Sequence, residues 1–112
     1  MGRLSLRIDL PQGRIGPGKI ALLEAIGAEG SISAAARAQG MSYRRAWALV
    51  ESIREVLGEA AVAASPGGKG GGGAALTAAG VQLMADYRAI ERAAARVAAR
   101  RLARITARSE RG

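Results

Sequence analysis

The sequence predicts a mainly α-helical domain with a small β component. Helix-forming segments fill most of the chain, strict alternation of apolar and polar residues is confined to the N-terminus, and one glycine tract separates two short extended segments. The 112 residues suffice for one modest core but not for two domains. Aromatic content is 3%, so Ala, Val, Leu and Ile must supply most of that core.

The N-terminal elements follow from simple patterns. Apolar and polar residues alternate over residues 4–10, which is typical of a half-buried strand. Residues 11–18 are rich in Pro and Gly and predict a loop, with Pro17 at the start of a helix. This helix has apolar residues three apart and is expected to end near Gly27 or Gly30.

Two helices joined by a short turn are predicted next. Ser33 is placed to cap a helix over residues 34–39, and Gly40 suits the left-handed position that ends it. Ser42 is placed to cap a longer helix over residues 43–57, whose buried stripe consists of Ala46, Val50, Ile53 and Leu57. A short and a longer helix with a glycine in the turn predict a helix-turn-helix.

Residues 61–77 predict a hairpin around the glycine tract Pro66–Gly73, and Thr77 is placed to cap a last helix over residues 78–105. That helix is long for so small a domain, so a second copy of the chain is expected to cover its apolar side at Leu83, Tyr87, Ile90 and Val97. Residues 106–112 are expected to form a flexible tail. The prediction is therefore a winged helix-turn-helix domain over residues 1–77 followed by a dimerisation helix.

The glycine tract does not fit a nucleotide-binding loop. Residues 68–73 match G-x-G-x-x-G, but no helix follows directly and no acid lies about twenty residues further on. A Walker loop is excluded because Lys69 is followed by Gly70 rather than Ser or Thr. A bare linker remains open, whereas a hairpin tip that brings Lys69 to a phosphate explains more of the context.

The composition favours a polyanionic partner and disfavours catalysis. The net charge is +8, and residues 61–112 hold nine Lys/Arg against three Asp/Glu. Such a charge attracts nucleic acid first and an anionic membrane surface second. With no Cys and no His, the usual ligands and acid–base groups are missing, so we expect no enzyme, metal or cofactor. The absence of a spanning segment or signal-peptide stretch predicts a cytoplasmic protein.

The candidate DNA contacts lie at the start of the second helix of the pair. Ser42, Tyr43, Arg44 and Arg45 open this helix, where helix-turn-helix proteins meet base edges. Arginine can bond guanine at two atoms, although an isolated arginine pair would more often be merely solvated. Ser33 and Lys69 complete the predicted DNA contacts. Trp47 is interpreted as a packing residue beside Val50.

Two charge patterns have plainer explanations. Glu51, Glu55 and Glu59 share a face at spacings of four, which is typical of a solvated helix surface rather than a metal site. Arginines recur every four residues from Arg88 to Arg108. This row could contact flanking DNA or an acidic partner, or form the solvated back of the dimerisation helix, and the sequence leaves these alternatives open.

The segments "GSISAAARAQGMSYRRAW" and "GGKGGGGAALTAAG", followed by a long helix, closely resemble the N-terminal domain of ModE-type molybdate-responsive transcription regulators. The winged helix of these regulators is similar to that of LysR-type regulators. The resemblance implies a homodimer joined through the N-terminal strand region and the long helix, with recognition helices in successive major grooves and wings on the flanking backbone. On matching positions, it implies DNA contacts at Ser42, Tyr43, Arg44, Arg45 and Lys69.

Full-length members of this family continue into molybdate-binding domains, whereas this sequence stops just after the long helix. We therefore expect no ligand sensing in the same chain: either the protein acts without an oxyanion, or a separate oxyanion-sensing polypeptide is its partner. The resulting hypothesis is a sequence-specific regulator that binds double-stranded DNA. The alternatives are a basic interaction module for an acidic partner or a nonspecific DNA-binding protein, and an enzyme has the least support.

Overall fold

The computed structural model describes residues 4–66 and 72–111, which form four helices and two antiparallel hairpins. In chain order the elements are β1 (Ile8–Leu10), β2 (Gly13–Ile15), α1 (Pro17–Glu29), α2 (Ile32–Ala38), α3 (Tyr43–Leu57), β3 (Val62–Ser65), β4 (Gly73–Leu76) and α4 (Ala78–Arg111). This mostly helical architecture, with two small sheets and a long last helix, is compatible with a winged helix.

The N-terminal strand is shorter than the predicted 4–10. It spans β1 alone and pairs with β2, so that Ile8 lies opposite Ile15 and Leu10 opposite Gly13. The second strand was wrongly assigned to a loop. Residues 4–7 form no strand, and the carbonyl of Leu6 instead accepts a hydrogen bond of 2.6 Å from the hydroxyl of Tyr87 on α4.

Helix α1 lies at the centre of the core. It begins at Pro17 and ends at Glu29, and the following Gly30 caps it with a φ of 75°, the left-handed conformation that glycine adopts readily. Leu22 and Ile26 pack with α2, α3 and β4 in one buried cluster. Ile20 and Leu23 pack in a second cluster with β2, α3 and α4. One helix therefore joins both halves of the core.

Helices α2 and α3 are joined by residues 39–42. Helix α2 is capped by Ser31, whose Oγ accepts from the backbone N–H of Ala34 at 3.0 Å, so the predicted cap at Ser33 is wrong. Helix α3 spans the predicted residues 43–57, and the Oγ of Ser42 accepts from the backbone N–H of Arg45 at 3.1 Å. Small residues at the α2–α3 contact let the helices approach closely: Ala35, Ala36 and Ala46 are buried.

The second hairpin is anchored to the helices. Strands β3 and β4 pair from Val62–Leu76 to Ser65–Gly73. The backbone N–H of Ala74 donates to the carbonyl of Gly30 at 2.8 Å, which attaches β4 to the end of α1. The tip of the hairpin, with the predicted contact Lys69, lies outside the described residues.

Helix α4 extends six residues beyond its predicted end. Thr77 caps it as predicted, since its Oγ1 accepts from the backbone N–H of Gly80 at 3.1 Å. The helix then continues through 34 residues to Arg111, because no Gly or Pro interrupts residues 81–111. The predicted tail at 106–112 is therefore helical as far as residue 111. At 1.5 Å per residue, α4 is about 50 Å long.

Candidate nucleic-acid interface

The exposed start of α3 is formed by Tyr43, Arg44 and Arg45. The cap at Ser42 fixes where the helix begins, and the buried residues Ala46, Val50 and Ile53 fix which side faces the core. Since successive residues are about 100° apart, Arg44 lies about 160° around the helix from Ala46. The core contacts of α3 therefore turn Arg44 away from the interior.

The charges of Arg44 and Arg45 are available to a ligand. In the described part of the chain, the ion pairs involve Arg7, Arg14 and Arg88, and neither Arg44 nor Arg45 takes part in one. The positive end of the α3 dipole adds to their charge. This end of the helix is thus suited to an anionic partner with hydrogen-bond acceptors.

An open groove of about 680 Å³ lies beside the start of α3. Tyr43 and Trp47 form one wall, with their ring centroids 6.3 Å apart in an edge-to-face arrangement. Residues of α2 and its cap form the second wall, and Gly72–Ala74 at the start of β4 form the third. The groove therefore brings together three elements that are separate in sequence.

The interpretation of Trp47 as a packing residue is wrong. Its side chain is 40% exposed and lines the groove, and Tyr43 beside it is 55% exposed. Trp47 lies about 100° around α3 from Ala46, at the edge of the buried stripe. Two aromatic residues four apart on one helix were the sequence signal for this shared surface.

Ser33 and Arg37 both lie on the α2 side of the groove. The Oγ of Ser33 accepts a hydrogen bond of 3.1 Å from an Nη atom of Arg37, one turn later on the same helix. Ser33 thus orients an exposed guanidinium at the groove. Sequence reasoning named Ser33 but missed Arg37, although their spacing of four residues places both on one helix face.

The predicted dimer face needs correction at Tyr87. This side chain is 1% exposed and packs within the chain's own core, while Leu83 is half-buried against the same cluster. Burial raises the pKa of Tyr87, the carboxylate of Glu91 raises it further, and Arg88 opposes both effects. Of the four predicted residues, Ile90 and Val97 are the exposed ones, at 47% and 57%.

The arginine row on α4 divides into a structural and an exposed part. Arg88 pairs with Glu24 of α1 through contacts of 2.7 and 3.2 Å and with Glu91 at 2.7 Å. These hydrogen bonds, above all those to Glu24, raise the pKa of Arg88. Arg88 therefore ties α4 to α1. The rest of the row is exposed: Arg92, Arg96, Arg100, Arg104 and Arg108.

Residues 4–66 and 72–111 contain no group of three or more acidic side chains placed to hold a metal ion. No helix in this part of the chain combines the length and apolar character needed to cross a membrane.

Comparison with known proteins shows what the chain is similar to. No protein-family model matches it. The molybdenum-pterin-binding protein MopB of Rhodobacter capsulatus is 52% identical over 84 residues, which are 75% of this chain and 31% of MopB. The molybdenum transport protein ModE of Herbaspirillum seropedicae is 47% identical over 72 residues, 64% of this chain and 27% of its own length. The chain is a relative of the ModE and Mop proteins.

The resemblance to ModE is thereby confirmed, and the matches are consistent with a ModE-like N-terminal domain. A further relative is the DNA-binding transcriptional dual regulator ModE of Escherichia coli K12, which is 41% identical over 71 residues, 63% of this chain and 27% of its own length. The ModE-like chain spans only 27–31% of the length of these curated relatives.

Proposed function

We propose that this ModE-like chain is a non-catalytic, sequence-specific transcription regulator that binds double-stranded DNA through a winged helix-turn-helix. The observation that carries the proposal is the exposure of Arg44 and Arg45 at the first turn of α3, with Arg44 on the side away from the core. The net charge of +8 supports it, as does the similarity to the E. coli relative, which is named as a DNA-binding transcriptional dual regulator.

In the proposed complex, the start of α3 enters the major groove. Arg44 and Arg45 then read base edges, since a guanidinium can donate to both O6 and N7 of guanine. Ser42 lies at the same end and contacts phosphate or base, and Tyr43 contacts the sugar–phosphate backbone beside it. The hairpin β3–β4 lies along the flanking backbone, and the contact of Lys69 there stays a prediction because this residue is outside the described part of the chain.

Alanine at Arg44 or Arg45 is expected to weaken binding to the preferred site by about 1–3 kcal/mol and to relax base preference. The preferred site comes from selection of bound duplexes out of a random pool, and affinity is then measured on matched and scrambled duplexes. Arg14→Ala removes an exposed arginine of β2 and serves as the control. If both α3 variants distinguished matched from scrambled duplexes as well as the unsubstituted protein does, the proposal that α3 reads base edges would be refuted.

The same selection, repeated with molybdate, tests for an effector. The names of two relatives refer to molybdenum, and we propose that residues 1–112 bind DNA either without an oxyanion or with sensing supplied by a separate oxyanion-sensing polypeptide. We therefore expect residues 1–112 to select the same sites with equal affinity in both conditions. A molybdate-dependent change would assign sensing to this chain itself.

We further propose that the protein acts as a homodimer on a palindromic site, with half-sites about 34–36 Å apart. The exposed apolar side chains Ile90 and Val97 on α4 support this proposal. They lie seven residues apart and so share one face of the helix.

Ile90→Asp or Val97→Asp is expected to give a monomer, because a carboxylate buried in an apolar interface pays for desolvation without a partner. Sedimentation equilibrium measures the mass. Leu83 and Tyr87 are unsuitable for this test, since they pack inside the chain. Ala89→Asp, about 100° around α4 from Ile90, is the matched control. A dimer that persists in both Ile90 and Val97 variants would dismiss this face.

A further inference from the structure

We infer that the groove between α2, α3 and β4 binds the sugar–phosphate backbone of one DNA strand, with Arg37 on a phosphate and the Tyr43–Trp47 pair against the adjoining deoxyribose. This inference rests on the proposed function. It adds a second, sequence-independent contact to the base-reading contact of Arg44 and Arg45. Arg37 and Trp47 were not predicted to contact DNA, whereas Ser33 and Tyr43 beside them were.

The positive charge of the groove favours an anionic ligand. Arg37 is the one charged side chain among the described residues that line it, and no carboxylate lies there. Acidic residues occur instead further along the solvent side of α3, at Glu51 and Glu55. A ligand in the groove therefore meets positive charge without a competing negative one.

Arg37 is oriented for this contact. Its hydrogen bond to Ser33 uses one of the five N–H donors of the guanidinium and leaves the others for a ligand. Because Ser33 restrains the side chain on the free protein, less rotamer freedom is lost on binding. A phosphate, which accepts several hydrogen bonds at once, matches this donor set.

The aromatic wall needs an apolar partner. The chain has three aromatic residues, and two of them, Tyr43 and Trp47, expose 55% and 40% of their surface side by side. Neighbouring aromatic side chains that share one exposed surface are typical of an interaction site. A DNA strand alternates charged phosphates with apolar sugar faces, so it satisfies Arg37 and the aromatic pair together, which an isolated inorganic anion does not.

The third wall of the groove, at the start of β4, leaves room for a DNA backbone. Gly72 and Gly73 carry no side chain, and a Cβ built at Gly72 would have no neighbour within 4 Å. The floor behind them is fixed, because Ala74 is hydrogen-bonded to the carbonyl of Gly30 at the end of α1. The groove thus has space for a DNA backbone, while the attachment of β4 to the core fixes its shape.

Trp47 provides a direct readout because it is the sole tryptophan. Acrylamide quenching of its fluorescence is measured with and without a saturating mixed-sequence DNA duplex. We expect the duplex to shield Trp47, so that the quenching constant falls. Poly-glutamate is the comparison ligand: shielding by poly-glutamate but not by the duplex would assign the groove to an acidic protein partner and overturn the inference.

Arg37→Gln tests the phosphate contact. Loss of one phosphate contact should reduce the slope of log affinity against log salt concentration by about 0.9, equally on preferred and mixed duplexes, while base preference is retained. The matched control is Arg14→Gln at the far end of α3, where neighbouring Gly13 approaches Val56. Its slope should remain that of the unsubstituted protein.

The outcomes separate the two proposals. If the unsubstituted protein binds no duplex, the proposed function fails and this inference fails with it. A second outcome is that the protein binds duplexes, the duplex leaves the acrylamide quenching constant of Trp47 unchanged, and Arg37→Gln has the same salt slope as the unsubstituted protein. In that case DNA binding stands and the groove inference alone is overturned.

Discussion

Replacing Gly80 by alanine is expected to destabilise the fold by about 3 kcal/mol or more. Gly80 lies buried in the first turn of α4, against the backbone of Ala61. An added Cβ would overlap the carbonyl oxygen of Ala61 and lie 3.2 and 3.3 Å from its C and Cα atoms. A side chain could rotate away from such a contact, but this carbonyl cannot, because it also accepts from the backbone N–H of Thr77 at 2.9 Å.

The matched control is Gly18→Ala in α1, where a Cβ would have no neighbour within 4 Å. There, alanine should stabilise by about 0.5–1 kcal/mol, since it reduces the freedom of the unfolded chain. Urea unfolding of both variants at one protein concentration gives the comparison. Equal stability of Gly80→Ala and the unsubstituted protein would show that α4 does not pack this closely on Ala61.

Elements marked by local signals were predictable from the sequence. Helix α3 has a serine cap, a buried stripe at helical spacing and a terminal glycine, and its observed bounds are the predicted 43–57. The caps at Ser42 and Thr77 need only contacts three residues away. The exposure of Arg44 and Arg45 follows from the same local pattern, because it depends on which face of α3 is apolar.

Local sequence signals do not determine where α2 starts. Ser31 and Ser33 are both suitable caps, and the core selects between them. A helix that begins after Ser31 includes Ile32 and buries it with Ala35 and Ala36. The spacing of three and four between these residues was the overlooked signal, and it left Ser33 free to bond Arg37.

The aromatic residues show why the groove was missed. Trp47 was expected to be packed and is exposed, whereas Tyr87 was expected at a dimer surface and is buried. Whether a helix face is covered depends on distant parts of the chain: the partner of Tyr87 is Leu6, 81 residues away. The groove likewise needs α2, α3 and β4 in contact, and no single segment encodes it.

Tyr87→Ala is expected to destabilise the protein by about 3–5 kcal/mol, because it removes a large buried side chain and leaves a cavity. Tyr87 is 1% exposed and belongs to a cluster that joins α1, β2, α3 and α4: Ile15, Ile20, Leu23, Ile53 and Ala61. Loss of this contact should also loosen the N-terminal segment at Leu6. Thermal unfolding and hydrogen exchange at residues 4–8 measure the two effects.

Tyr87→Phe separates packing from hydrogen bonding. The ring remains, so the expected loss is only about 0.5–1.5 kcal/mol for the missing bond to the carbonyl of Leu6. Burial raises the folded-state pKa of Tyr87 above its usual value of 10.0, so its neutral form stabilises the fold below pH 10. That stabilisation is lost as the pH rises towards the folded-state pKa, and the phenylalanine variant should lack this step. If the Ala and Phe variants lost equal stability, the hydroxyl rather than the packed ring would hold α4 to the core.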